Sequence, residues 1–373
     1  MANVTTSVLV CFTTIIIGML LVVQTLVNTK ASIHFSIQIF GCALPFTIGT
    51  GLLTLLVILE GHLSQSNDNS NRKPLFAWSS APPWYLFLAG TVGVCLLTVG
   101  LVVTFYLGSA MFWVPLVVGQ ISCSALLDHF GVSLNGERKP FSIVKAFAMG
   151  CTFAGAALSV YRKIAAELHS TSLGVGVVVG LVITSLLTGC ILPFQAVINR
   201  EASKLLASKL TAVWWSFLEG ATLSNVILLV QLCVDQSAAK TFPARFNDSQ
   251  WFMYLGGAIG VVYVASALWF TGIVGFELYF VCLVSGQLAG SLLFDSVNTE
   301  ISGSGADVSS SGIAVMERIF GIFLVIVGAC LIKLKLPGSW QGRNRNSDYS
   351  SDADVRYAHV EANLEVSAAL EHL

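Results

Sequence analysis

Gln120, Ser124 and Asp128 stand four residues apart, and Gln287, Ser291 and Asp295 repeat the same types at the same spacing. On an α-helix each step of four turns by only about 40°. Each triplet is therefore one polar stripe, about 12 Å long. Amides, hydroxyls and carboxyls set in this way offer hydrogen bonds and charge to a polar guest. A second motif, Gly18-x5-Gln24-x3-Asn28, returns as Gly189-x5-Gln195-x3-Asn199. Glu219 stands alone inside the apolar run Trp215-Ser-Phe-Leu-Glu219-Gly220. No His-Glu-x-x-His and no Gly-x-Ser-x-Gly elbow occurs, so an enzyme is not expected and no catalytic residue is assigned.

The elements that carry these residues are apolar throughout. Of 373 residues, 55% are hydrophobic and only 10% are charged, with a mean hydropathy of +0.79. Soluble domains carry roughly 25% charged residues, so lipid is the expected solvent. The net charge of −1 provides no basic field for nucleic acid. The nine cysteines form no Cys-x-x-Cys pair and read as small packing residues; no metal or cofactor is expected.

A membrane-spanning helix needs about 20 mostly apolar residues. Ten segments qualify: 7–27, 37–59, 84–106, 110–128, 142–160, 173–196, 212–232, 251–273, 277–295 and 314–332. The first is read as a retained span, because no Lys or Arg precedes it. The links between spans 3 and 4 and between spans 8 and 9 are short enough for tight hairpins. Basic residues favour the cytosolic side. The side holding both termini carries thirteen of the nineteen Lys and Arg; the other carries Lys30, Arg162, Lys163, Lys240, Arg245 and Arg318. Both termini are thus expected in the cytosol. Residues 334–373, polar and rich in Ser, Asp and Asn, are expected to be a disordered cytosolic tail. Its Tyr357-Ala-His-Val360 run matches a sorting pattern that also arises by chance.

The polar motifs expose an internal repeat. An offset of 171 carries Gln24 onto Gln195, Asn28 onto Asn199, Phe46 onto Phe217 and Gly49 onto Gly220. An offset of 167 then carries Trp84 onto Trp251, Gly90 onto Gly257, Gly93 onto Gly260 and Gly119 onto Gly286. The chain divides into a first five-helix repeat (1–160), a link (161–172) and a second repeat (173–333). An odd span count per half makes the second half insert upside down. Inverted repeats of this kind build secondary transporters, with the solute site near midplane. The fold class expected is all-α, with ten spans as a 5+5 inverted-topology repeat.

Gln24-Thr-Leu-Val-Asn28 and Gln195-Ala-Val-Ile-Asn199 resemble the end of a first repeat helix in a known family. Val118-Gly119-Gln120 with Leu126-Leu127-Asp128-His129-Phe130-Gly131 resembles its Gly-Gln and Leu-Asp-His-Phe-Gly signature. Ser285-Gly286-Gln287 with Leu292-Leu293-Phe294-Asp295 is the second copy, and it departs after Asp295. Together they are similar to the YdcZ-type inner-membrane exporters of the drug/metabolite transporter superfamily, which is EamA-like. The resemblance spans about residues 7–333. It implies a multi-pass carrier or exporter of small organic solutes, and names no substrate.

Several roles stay open at this point. Polar groups at membrane depth face the bundle interior or water. Gln120, Ser124, Gln287 and Ser291 are expected on the substrate pathway, with interhelical hydrogen bonding as the alternative. Two mouths are expected, with Asp295 beside Gln24 and Asn28 outside, and Asp128 beside Gln195 and Asn199 inside. These clusters are read as gates or as helix caps. A carboxylate as deep as Glu219 costs roughly 2.5–3.5 kcal/mol on insertion scales. It is read as a group for proton coupling or cation recognition, or as a hydrogen-bonded structural acid. Its repeat counterpart is Ile48, so its role is asymmetric. Trp113, Tyr263, Trp269 and Tyr279 are read as cavity walls or as interfacial aromatics. The partners expected are a small-molecule solute and the lipid bilayer, with the proton and a second copy of the chain as further candidates. A channel or a non-transporting scaffold shares this composition.

Overall fold

The computed structural model describes residues 4–65, 81–130, 143–170, 174–206, 208–274, 276–297 and 312–333. Helices of at least 19 residues carry the chain: α1 (Val4–Phe35), α2 (Phe40–Gln65), α3 (Ala89–Leu107), α4 (Ser109–Phe130), α5 (Ile143–Ser170), α6 (Val175–Leu205) and α7 (Lys209–Val234). After the short α8 (Gln236–Thr241) come α9 (Leu255–Val274), α10 (Phe276–Val297) and α11 (Gly312–Lys333). No strand occurs among the described residues. Seven helices are long and apolar enough over their described residues to cross a membrane, and α5, α10 and α11 carry shorter apolar stretches. The expected tail lies outside the described residues.

Burial is inverted relative to a soluble protein. On α7, Val226, Ile227, Leu229 and Val230 are exposed, while Thr211, Ser216 and Ser224 are buried. On α1, Val8, Leu9 and Phe12 face outward, and Thr14, Gln24, Thr25 and Asn28 are buried. An apolar exterior around a partly polar interior is the distribution that a hydrocarbon solvent selects.

The repeat seen in the sequence is also a symmetry of packing. Helix α1 packs on α10 and α9; its counterpart α6 packs on α4 and α3. Helix α2 packs on α9, and α7 on α3. The self-paired contacts α2–α7, α4–α10 and α5–α11 lie between equivalent helices. The most extensive pairs join one half to the other, so residues 1–333 form one interlocked unit.

Glycine permits the two tightest crossings. A Cβ on Gly18 would overlap the Leu283 carbonyl oxygen of α10, and one on Gly286 the Ile15 carbonyl oxygen of α1. In the other pair, Gly189 meets the Leu116 carbonyl oxygen, and Gly119 meets that of Leu186. Small residues at a helix crossing let backbones approach and gain dispersion contacts. Pro45, Pro115 and Pro193 lie inside α2, α4 and α6, which continue through them. The α3–α4 link is one residue, Gly108, whose φ of 84° only glycine adopts readily.

The link after α7 folds onto the corner between α1 and α2. Asp235 caps α8 by accepting the Ser237 and Ala238 N–H groups. Phe242 and Phe246 then pack on Phe35 and Phe40. Arg245 donates to the His34 carbonyl oxygen, and His34 Nε2 lies 2.9 Å from the Arg245 carbonyl oxygen. Trp84 and Trp251, related by the repeat, are exposed at the 3-10 turns that lead into α3 and α9.

Gly18→Ala and Gly119→Ala should each lower the unfolding midpoint in detergent, by roughly 1–3 kcal/mol of overpacking. Gly150→Ala and Gly176→Ala, where a Cβ meets nothing within 4 Å, should not. Equal effects at all four positions would refute the close crossings.

Candidate functional site

The first polar motif is resolved into a pair of clamps. Gln24 Nε2 on α1 donates to the Gly256 carbonyl oxygen at the start of α9, at 2.8 Å. Gln195 Nε2 on α6 donates to the Ala89 carbonyl oxygen at the start of α3, at 2.9 Å. Offset by 167, Ala89 and Gly256 are equivalent positions. Each glutamine therefore crosses from its own half to the other and grips the same point. Glycine makes room beside each amide: a Cβ on Gly260 would sit 2.9 Å from Gln24 Nε2, and one on Gly93 3.3 Å from Gln195 Nε2. Phe46 and Phe217 close the space between α2 and α7, with ring centroids 5.4 Å apart.

One clamp carries an extra bond. The Gly90 N–H at the start of α3 donates to Glu219 Oε2 on α7, at 2.8 Å. At the equivalent place Gly257 meets the Ile48 side chain. Glu219 thus caps α3 from another helix, where the N-terminal amides and the helix dipole favour a negative charge. Its second oxygen, Oε1, is buried and has no hydrogen-bond partner among the described residues.

Asn28 and Asn199, one turn beyond the clamping glutamines, are buried. Asn28 lies against Gly256, so closely that a Cβ there would overlap Oδ1. Both polar atoms of Asn28, and Oδ1 of Asn199, lack partners among the described residues. The side chains of Asp128 and Asp295 lie outside the described residues, so the expected Asp–Gln–Asn mouths are represented only by their Gln and Asn members.

The second motif lies deeper. Gln120 on α4 is 1% exposed and Gln287 on α10 is 2% exposed. Neither amide atom of Gln120 has a partner among the described residues, and neither does Gln287 Oε1. Ser291 is buried and donates back to the Leu288 carbonyl oxygen at 2.9 Å, while Ser124 is half-buried. Trp113, two turns before Gln120 on the same face of α4, is 3% exposed, and its Nε1 also lacks a partner. Tyr279 is buried too, bonded through its hydroxyl to Ser266 at 2.8 Å. Trp269, in contrast, is exposed.

The deep amides, like the two asparagines and Thr104, differ from most buried hydroxyls in one respect. Buried threonines such as Thr14, Thr25 and Thr29 return their hydroxyls to a carbonyl one turn earlier. A buried amide left unpaired costs about 1–3 kcal/mol. Residues that sequence reasoning passed over are the clamp acceptors Ala89 and Gly256 and the Glu219 donor Gly90. Their Gly/Ala-rich helix starts were visible in the 167 offset, but a backbone acceptor leaves no side-chain signature.

Comparison with known families places the chain against one model over most of its length. A family model described as "Putative inner membrane exporter, YdcZ", of the drug/metabolite transporter (DMT) type, matches residues 9–158 and again 180–331. No curated protein matches the chain.

If Gln120 were packing glue, its replacement would destabilise. Gln120→Met should instead leave the unfolding midpoint unchanged or raise it. Gln24→Met should lower it by about 0.5–1.5 kcal/mol, the net worth of one hydrogen bond. Thermal unfolding in one detergent compares the two directly, and the opposite ranking would refute the distinction.

Proposed function

The chain belongs to the YdcZ family of inner-membrane exporters, and from that premise we propose that it is a ten-span carrier moving a small organic solute by alternating access. The second half is inverted in the membrane, with both termini in the cytosol. Seven helices meet the length and hydropathy of a span. Helices α5, α10 and α11, at 28, 22 and 22 residues, complete the ten. At about 1.5 Å per residue each is long enough to cross.

The observation that carries the proposal is the equivalence of the two clamps. Gln24–Gly256 and Gln195–Ala89 tie opposite halves together with the same chemistry on either side of the Phe46–Phe217 pair. With both formed, the path is occluded. Releasing the Gln24 clamp lets α9 part from α1 toward the outside; releasing the Gln195 clamp lets α3 part from α6 toward the cytosol. Because the two half-sites are alike, opening one is the mirror event of opening the other. Gln120 and Gln287, with Ser124 and Ser291 one turn on, lie on the path between them. Asn28 and Asn199 become accessible groups at the two mouths.

Glu219 couples this motion to protons. An ionised carboxylate accepts the Gly90 N–H strongly, and a neutral acid accepts it weakly. Protonation therefore loosens the cytosolic clamp and leaves the outer one untouched, since Ile48 cannot titrate. No part of the sequence resembles an ATP site, so the driving force is a gradient.

The test uses a cysteine-free background. Ser124→Cys should react with a membrane-impermeant thiol reagent from the cytosolic side, and Ser291→Cys from the outer side. Bridging Gln24→Cys to Gly260→Cys with a short bifunctional thiol reagent should abolish outer labelling while sparing inner labelling. Labelling of both sites from both sides at once would indicate a channel. Inner labelling that rises as pH falls, and no longer does so beyond the reagent's own pH response in Glu219→Gln, would support the coupling. An identical profile in that variant would refute it.

A further inference from the structure

We infer that Gln120, Gln287 and Trp113 form a binding site for an uncharged solute that presents a hydrogen-bond donor and acceptor side by side, as a carboxamide does. The inference rests on the carrier reading above and narrows its substrate class. Two observations support it independently.

The first is the inventory of unpaired groups. Gln120 offers an NH₂ donor pair and a carbonyl acceptor, Trp113 an indole donor, and Gln287 a carbonyl acceptor. All three side chains are at least nine-tenths buried. Gln120 and Gln287 sit at equivalent positions of α4 and α10, which pack on each other. Trp113 lies about 10 Å along α4 from Gln120, on the same face. These groups are hydrogen-bond donors and acceptors, none of them charged.

The second is the absence of charge around them. Residues 109–127 of α4 and 278–294 of α10 contain no Asp, Glu, Lys, Arg or His. The same holds for residues 5–29 of α1 and 175–199 of α6, the helices that pack most extensively on them; formal charges on other neighbours include Glu317 and Arg318 in the second turn of α11 and Lys145 in the first turn of α5. Glu219 is on α7 and faces the start of α3, a different helix pair. A charged guest at this depth would lose its hydration with no counter-charge to replace it, which is far more costly than burying a neutral amide that finds partners. A guest with no polar edge would leave the glutamines and the indole unpaired, and a site built to hydrogen-bond rejects such analogues strongly. The geometry thus selects against ions and against pure hydrocarbons alike.

Benzamide, benzoate, benzylammonium and ethylbenzene share one ring and differ in the relevant edge, so they serve as probes. Saturable binding is measured calorimetrically to the full chain in lipid nanodiscs, with empty nanodiscs subtracted. Benzamide should bind, and the other three should neither bind saturably nor compete. Gln120→Met and Gln287→Met should each weaken benzamide binding roughly tenfold, with unchanged unfolding midpoints showing that the fold survives. Gly150→Ala, on the open outer face, should leave it unaltered. Binding of benzoate or benzylammonium in preference, equal competition by ethylbenzene, benzamide binding indifferent to both methionine variants, or no saturable binding at all would each overturn the inference. Thiol labelling of the two serine positions separates this outcome from failure of the carrier reading. Alternating labels without benzamide binding remove only the substrate class, whereas benzamide binding with fixed labels removes the carrier.

Discussion

Two backbone carbonyls, those of Ala89 and Gly256, are each held by a glutamine from the opposite half, and the bundle is organised around that exchange. In hydrocarbon a helix has few ways to recognise its neighbour, because apolar side chains gain little from one another that lipid does not also offer. Close backbone approach at glycine and a few interhelical hydrogen bonds supply the specificity. Here both devices occur on the same helices. Helix α1 presents Gly18 to α10 and, less than two turns later, Gln24 to α9. Helix α6 presents Gly189 to α4 and then Gln195 to α3. The Gly-x5-Gln-x3-Asn motif is therefore a set of docking points along one helix, addressed to two partners in the other half.

Much of this was legible in the sequence, because the apolar lengths, the polar spacing and the repeat offsets are local properties of the chain. The tight hairpin at Gly108 follows directly from them, and Gln120, at the head of its stripe, is buried. The destination of Gln24 did not. The expected cluster paired it with Asn28 and Asp295, and its Nε2 reaches a main-chain oxygen 232 residues away that the motifs did not point to. Backbone acceptors are present at every residue, so nothing in a sequence marks the one that is used. Glu219 shows the same limit. Its depth was evident from its apolar surroundings, but its partner is the Gly90 N–H, made available because a helix begins there.

The polar interior divides into groups that are satisfied and groups that are not. Threonines such as Thr14, Thr25 and Thr29 close on their own helix, and the clamping glutamines close on the opposite half. Among what is left over, Gln120, Gln287, Trp113 and the two asparagines are held at a cost by the packing around them. A fold tolerates such groups when the rest of the structure over-determines their positions. The tightly packed α4, whose residues 109–120 are buried without interruption, supplies that support.

The mismatch between Glu219 and Ile48 has one more consequence. Two identical halves would make the inward-facing and outward-facing forms degenerate, each populated equally in a symmetric membrane. In the proposed carrier, the Gly90–Glu219 bond, which has no equivalent at Ile48, would remove that degeneracy and favour one resting side. For a difference of 1.4 kcal/mol the preference is already tenfold. In the proposed carrier, which face waits for cargo would then be written into one residue pair, while the net direction of flux would still follow the gradients.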